Sequence, residues 1–216
     1  MVIDVFLVDD HTIFREGLLL LLEKEKEINI VGEAEDGHEA VNKVPSVRPD
    51  VVIMDISMPN LNGIEATRQI KEEEPDIDIL ILSMKNNAED AYQALKAGAI
   101  GYILKKSAGD EVVEAVRTAY KGGRFLSDQI NKSLVENYII ENKGKETEDL
   151  LEELSPRERE VLQLVAEGKA TKEIAKMLHL SNSTIETYRK RMMKKLGLNN
   201  LTELIKFAIK HDIISV

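Results

Sequence analysis

Asp9, Asp55, Ser83 and Lys105 share one feature: each follows directly on an apolar run, "VFLV", "VVIM", "ILIL" and "GYIL" respectively, and Asp10 follows Asp9. Three carboxylates, a hydroxyl and an ammonium make a specific chemical set if the fold brings them together. Clustered carboxylates repel one another and need a cation. An oxygen-only site completed by water and phosphate suits Mg²⁺, which takes one or two carboxylates. An Asp carboxylate can also act as a nucleophile and carry a phosphoryl group as an aspartyl phosphate. A metal ion and a lysine would offset the charge on the transferring group, and a serine hydroxyl can donate to a phosphoryl oxygen.

The elements that must position these residues are legible in the first 120 positions. Apolar runs at 3–8, 28–31, 51–54, 77–82 and 100–104 alternate with amphipathic stretches of helical length. That alternation predicts βα units around a doubly wound, five-stranded parallel sheet. Short runs led by β-branched residues, such as Val51-Val52-Ile53-Met54, are the pattern of strands buried on both faces. In such sheets ligands bind beyond the carboxyl ends of the strands, where strand order reverses. Asp55 is therefore expected at the surface of that edge, where a phosphodonor can reach it.

Beyond Gly122-Gly123 the sequence predicts one more helix over 127–140, then an almost wholly polar stretch, 141–153, read as a linker. Ser155-Pro156-Arg157-Glu158 has the form of a capping box with proline at the first helical position. Four helices follow, at 156–167, 171–178, 182–196 and 201–209, with the short "LHLS" turn between the second and third consistent with helix-turn-helix. The net charge of −10 is unevenly spread: residues 154–216 carry 12 Lys/Arg against 7 Asp/Glu. An acidic part joined to a basic part predicts two domains with different partners. Projection of the helix at 182–196 groups Ile185, Tyr188, Met192 and Leu196 as its buried stripe. Glu186, Thr187, Lys190, Arg191 and Lys194 lie opposite, with Arg189 adding to the basic charge. Such a helix suits the major groove of double-stranded DNA. Lys190 could reach guanine acceptors, Glu186 could accept from cytosine and Thr187 could contact a thymine methyl, while Thr171 and Lys172 are candidate phosphate contacts.

The rest of the composition is restrictive. No apolar run approaches the roughly 20 residues needed to span a bilayer, and no export signal is visible at the amino terminus. The absence of cysteine excludes disulfides and thiolate metal sites and fits the cytoplasm.

With Asp9-Asp10, "MDISMPNLNG", Ser83, "KAGAIGYILKK" and Lys105 in view, residues 1–122 resemble the receiver domain of two-component response regulators, a flavodoxin-like fold. The segment from "LSPREREVLQ" through "LTELIKFAI" resembles a LuxR-type DNA-binding domain, and the whole chain the NarL/FixJ class. The resemblance implies three parts: a receiver at 1–122, an additional helix and linker at 123–153, and a helix-turn-helix domain at 154–216. It implies phosphorylation of Asp55 by a sensor histidine kinase, and Mg²⁺ held by Asp10, Asp9, Asp55 and the backbone carbonyl of Ser57. Ser83 would move towards the phosphoryl group, and Tyr102 would change rotamer. The product would be a phosphorylation-dependent transcription regulator, not an enzyme, forming a homodimer when phosphorylated or bound to DNA. The last helix forms the DNA-bound dimer in this class, and Phe207, projected onto its outer side, is the candidate contact.

The sequence departs from the class pattern at three places. Lys106 stands where proline often follows the lysine, leaving the isomer of the Lys105–Lys106 bond open. Ser183 replaces a commonly basic residue, and Tyr188 a usual histidine. A phosphatase using an aspartyl phosphate would need a second acid two residues beyond the first. His11 and Ser57 occupy those positions, which disfavours turnover of a small substrate.

Overall fold

The computed structural model describes residues 2–141, 151, 153–211 and 213–214, with backbone alone over 135–141. The chain divides into two compact units, Met1–Gly144 and Lys145–Val216.

In the first unit, β1 (Ile3–Val8), β2 (Ile28–Ala34), β3 (Val51–Asp55), β4 (Asp78–Ser83) and β5 (Gly101–Leu104) alternate with α1 (Thr12–Leu22), α2 (Gly37–Val47), α3 (Gly63–Glu73), α4 (Ala88–Lys96) and α5 (Ala108–Tyr120). The sheet has six parallel strands, not five, in the order β2-β1-β3-β4-β5-β6. The additional strand, β6 (Phe125–Leu126), pairs with Gly101 and Tyr102 of β5. Two residues are too few to establish a period-two pattern, so this strand leaves no signal in the sequence. α6 (Asp128–Glu141) follows it, so the first unit continues well past residue 122. The expected linker at 141–153 lies outside the described residues, apart from 141, 151 and 153.

The apolar runs are continuous because both faces of the sheet are covered. Phe6, Val8, Val52, Met54, Ile79, Ile81, Tyr102 and Leu104 point to one face, into a core shared with α2, α3, α4 and α6. Val5, Leu7, Val51, Ile53, Leu80, Leu82 and Ile103 point to the other, against α1 and α5. Successive side chains of a strand alternate between faces, so central strands need apolar residues at every position. Strand order reverses between β1 and β3, which are hydrogen-bonded neighbours, so the residues following them meet at the switch point.

The second unit contains α7 (Pro156–Ala166), α8 (Thr171–Met177), α9 (Asn182–Lys195) and α10 (Leu201–Lys210), each within a residue or so of its predicted bounds. The predicted capping box is present: Glu158 N–H donates to Ser155 Oγ, and Ser155 N–H donates to Glu158 Oε2. Val161, Leu162, Val165, Ile174, Ile185, Met192, Leu204 and Ala208 form its core.

Candidate functional site

The switch point gathers the residues that the apolar runs deliver to it. Asp9 follows β1, Asp55 ends β3, Ser83 ends β4 and Lys105 follows β5, opening a 3-10 turn at Lys105–Ser107. Gly63 sets how closely the loop after β3 returns to its strand. A methyl group there would lie 1.9 Å from the carbonyl oxygen of Asp55.

Lys105 Nζ bridges two carboxylates, at 2.7 Å from Asp9 Oδ2 and 3.0 Å from Asp55 Oδ2. It also stands 4.8 Å from the centre of the Phe14 ring, a cation–π contact. Contrary to the expectation of a surface acid, Asp55 is only 2% exposed, because Lys105 and Asp9 pack against it. Burial pushes its carboxyl up from 3.8 to about 6; the Lys105 ammonium opposes that rise, and Asp9 and Asp10 add to it. Asp10 stands at the rim, its Oδ1 2.9 Å from His11 Nδ1. His11 N–H donates to Asp9 Oδ1 at 2.9 Å, and the Arg15 guanidinium donates to the Asp9 carbonyl. Ligand atoms of Asp9, Asp10, His11 and Asp55 all lie within 4.8 Å of one another. The Oδ2 atoms of Asp9 and Asp55 are buried, and neither accepts a well-directed hydrogen bond from the described groups beyond the ion pairs to Lys105. Hard carboxylate oxygens of this kind, unsaturated and clustered, fit Mg²⁺.

Ser83 and Tyr102 form a second layer beside the carboxylates. Ser83 is buried, and its Oγ accepts from Lys85 N–H at 3.1 Å. Tyr102 is fully buried, and its hydroxyl donates to the Lys85 carbonyl at 3.4 Å. Burial pushes its phenol well above the usual range. Ser57, two residues past Asp55, is exposed. No described peptide bond is cis, so Lys105–Lys106 is trans. Arg15 and Phe14 join the site from α1, and His11, read from the sequence only as a missing acid, stands against Asp9 and Asp10. His11 was visible in "DDHT", but nothing in the spacing of Arg15 and Phe14 along α1 reveals that they reach the site.

In the second unit, Ile185, Met192 and Leu196 are buried as projected and Tyr188 is half-buried, while Glu186, Thr187, Lys190, Arg191 and Lys194 are exposed. Arg189 is half-buried, and Lys172 is exposed at the start of α8. Thr171 is not a free hydroxyl: it donates to Glu186 Oε1 at 2.7 Å, joining the first residue of α8 to α9. Lys195 is also committed, donating to Glu158 Oε2 at 2.6 Å and to the Glu153 carbonyl at 2.8 Å. Phe207 requires a correction. It is 8% exposed, belongs to the core and packs against His211 in a tilted pair, with ring centres 4.2 Å apart. The apolar side chains left exposed on α10 are Leu201 and Ile209.

Comparison with known proteins matches a known family to each of the two parts of the chain. Residues 5–117 match the response regulator receiver domain, and residues 152–208 match the bacterial regulatory proteins of the luxR family. The chain belongs to the LuxR-family response regulators. The oxygen regulatory protein NreC of Staphylococcus carnosus is 39% identical over 97% of this chain and 98% of its own length. The transcriptional regulatory protein DegU of Brevibacillus brevis is 33% identical over 99% of this chain and 96% of its own. A structure of RcsB from Salmonella enterica serovar Typhimurium, bound to a promoter in the presence of the phosphomimetic BeF3⁻, superimposes with a TM-score of 0.60. It shares 34% identity over 95% of this chain and 97% of that one. As a family these are DNA-binding transcription regulators, not a class of enzyme. Among the described residues, no helix is long and apolar enough to cross a membrane.

Proposed function

We propose that a sensor histidine kinase phosphorylates Asp55 and that the modification controls binding of double-stranded DNA through α9. The observation that carries this reading is the buried set at the switch point, with Lys105 within 3.0 Å of both Asp9 and Asp55. Asp10, Asp9, Asp55 and the backbone carbonyl of Ser57 are the ligands proposed for Mg²⁺. When bound, the ion would neutralise charge on the incoming phosphoryl oxygens. The chain's own residues do the rest. The rigid sheet fixes the Asp55 carboxylate as nucleophile, and Lys105 supplies a positive charge at the same oxygens. Ser83 can turn its hydroxyl from the Lys85 amide towards a phosphoryl oxygen, releasing the loop that Tyr102 also holds. A phosphoryl group therefore has a direct route to the 84–87 backbone, the kind of local charge change that biases a two-state element.

On the DNA side, Lys190, Arg191, Lys194 and Arg189 supply the positive charge of α9, Glu186 and Thr187 the base contacts, and Lys172 a phosphate contact. Thr171 acts by orienting Glu186, to which it is already hydrogen-bonded. For the homodimer, Leu201 and Ile209 replace Phe207 as the contact residues, since they are the apolar side chains that α10 leaves outside.

The test is DNA binding by wild type and Asp55→Ala, each with and without acetyl phosphate and Mg²⁺, against a pool of genomic fragments. A gain of affinity confined to treated wild type is the expected result. Equal binding in all four arms overturns the reading and leaves the receiver as a scaffold.

A further inference from the structure

β6 and α6 lie beyond the five βα units that build the phosphoacceptor site, yet their polar contacts run to the end of β5, to α5, to Lys106 and to the loop after Ser83. Ser127, at their junction, is 2% exposed. Its N–H donates to the Tyr102 carbonyl at 3.0 Å. Its Oγ accepts from Leu104 N–H, the residue before Lys105, at 3.2 Å, and donates to the Glu111 carboxylate of α5. One buried hydroxyl thus ties the end of β5 to α5 and to the start of α6.

The other contacts lie further along the helix. Gln129 and Ser133 are four residues apart and so share one face. Gln129 Oε1 accepts from Lys106 Nζ at 2.5 Å, and the Ser133 hydroxyl divides its proton between the Gln129 carbonyl of its own helix at 3.0 Å and Asn86 Oδ1 at 3.3 Å. Between them Ile130 is fully buried in the core that contains Tyr102, and Leu134 packs against the same core. At its start α6 is hydrogen-bonded to the sheet itself. One turn on, it is bonded to the loop after Ser83. A rod fixed at its start and attached, within its first half, to a second loop is a lever.

We infer that α6 reads the phosphorylation state of Asp55, with Ser127 as its pivot and the Ser133–Asn86 pair as its handle. The inference rests on Asp55 being the phosphoacceptor. Movement of the 84–87 backbone towards a phosphoryl group pulls on Asn86 and shifts Ser133, while Ser127 stays with β5. α6 then turns about the sheet edge and passes the displacement into the chain that leads to the DNA-binding unit. Ser127 and Ser133 touch no reacting atom; they are positioning residues.

The pivot and the handle give opposite signatures, which a merely structural role does not. Full-length Ser133→Ala, Asn86→Ala, the double variant and Ser127→Ala are compared with wild type for acetyl phosphate labelling rate, melting temperature and DNA affinity in both phosphorylation states. Ser133→Ala and Asn86→Ala should label at the wild-type rate and bind DNA more tightly when unphosphorylated. The ratio of the two affinities then shrinks by about two- to tenfold, the range of one hydrogen bond. The double variant should lose no more than either single one. Ser127→Ala should shrink the ratio from the other side, by weakening the phosphorylated form. Wild-type ratios in Ser133→Ala and Asn86→Ala overturn the lever, as does a double variant that loses the sum of both effects. If wild type itself gains no affinity on phosphorylation, the reading of Asp55 falls, and this inference with it.

Discussion

Asp55→Asn should make the receiver unit more stable, not less, and by an amount that depends on pH. The carboxylate is buried beside Asp9, and burial lifts its pKa from 3.8 to about 6. A group whose folded pKa is raised binds its proton more tightly in the folded chain. Protonation therefore stabilises the fold fully below 3.8, and that stabilisation is lost as pH rises to about 6. The span corresponds to about 3 kcal/mol, at roughly 1.36 kcal/mol per unit. The neutral Asn does not titrate, and Lys105 keeps its partner Asp9 at 2.7 Å. Urea titrations followed by circular dichroism, in chelator, should show the variant ahead of wild type by up to about 3 kcal/mol at pH 8. Near pH 4 the two curves should converge. Mg²⁺ should close the gap at pH 8 by stabilising wild type more than the variant, because binding to the folded state adds stability by mass action. It also identifies which transition belongs to the unit containing Asp55. A variant no more stable than wild type at pH 8, or a difference that does not change between pH 4 and 8, refutes the argument.

Four further outcomes follow from the geometry. Gly63→Ala, which forces a methyl group against the Asp55 carbonyl, should cost about 1–3 kcal/mol as an overpacking change. It should also slow acetyl phosphate labelling while leaving every carboxylate in place; an unchanged labelling rate would show that the loop relaxes freely. Phe207→Ala should cost about 3–5 kcal/mol in the second unit, as a large-to-small core change. Ile209→Ser should leave its melting temperature nearly unaltered and reduce dimeric binding on DNA, as sedimentation can establish. Thr171→Val removes the hydrogen bond that orients Glu186 and should relax selection at one base pair, worth about 1–3 kcal/mol of discrimination. Selection from a random DNA pool checks this, and an unaltered consensus would mean that Glu186 reads no base.

The apolar runs alone determined which residues would stand at the functional edge, because a strand covered on both faces has no other place to put Asp55, Ser83 or Lys105 than its end. The capping box at Ser155 and the turn before Asn182 likewise marked the helices of the second unit within a residue or so. Those signals are local, and local chemistry is what a sequence carries. Tertiary packing decided the rest. α10 has apolar residues at 201, 204, 205, 207, 208 and 209, which support two overlapping stripes. Only packing within the unit selected Leu204, Phe207 and Ala208 and turned Leu201 and Ile209 outward. β6 exists because Phe125 and Leu126 find the open edge of β5, not because two residues have a pattern. The charge state of Asp55 belongs to no residue by itself. It follows first from burial, then from Lys105, which opposes the rise, and from Asp9 and Asp10, which add to it, an arrangement that no spacing along the chain encodes.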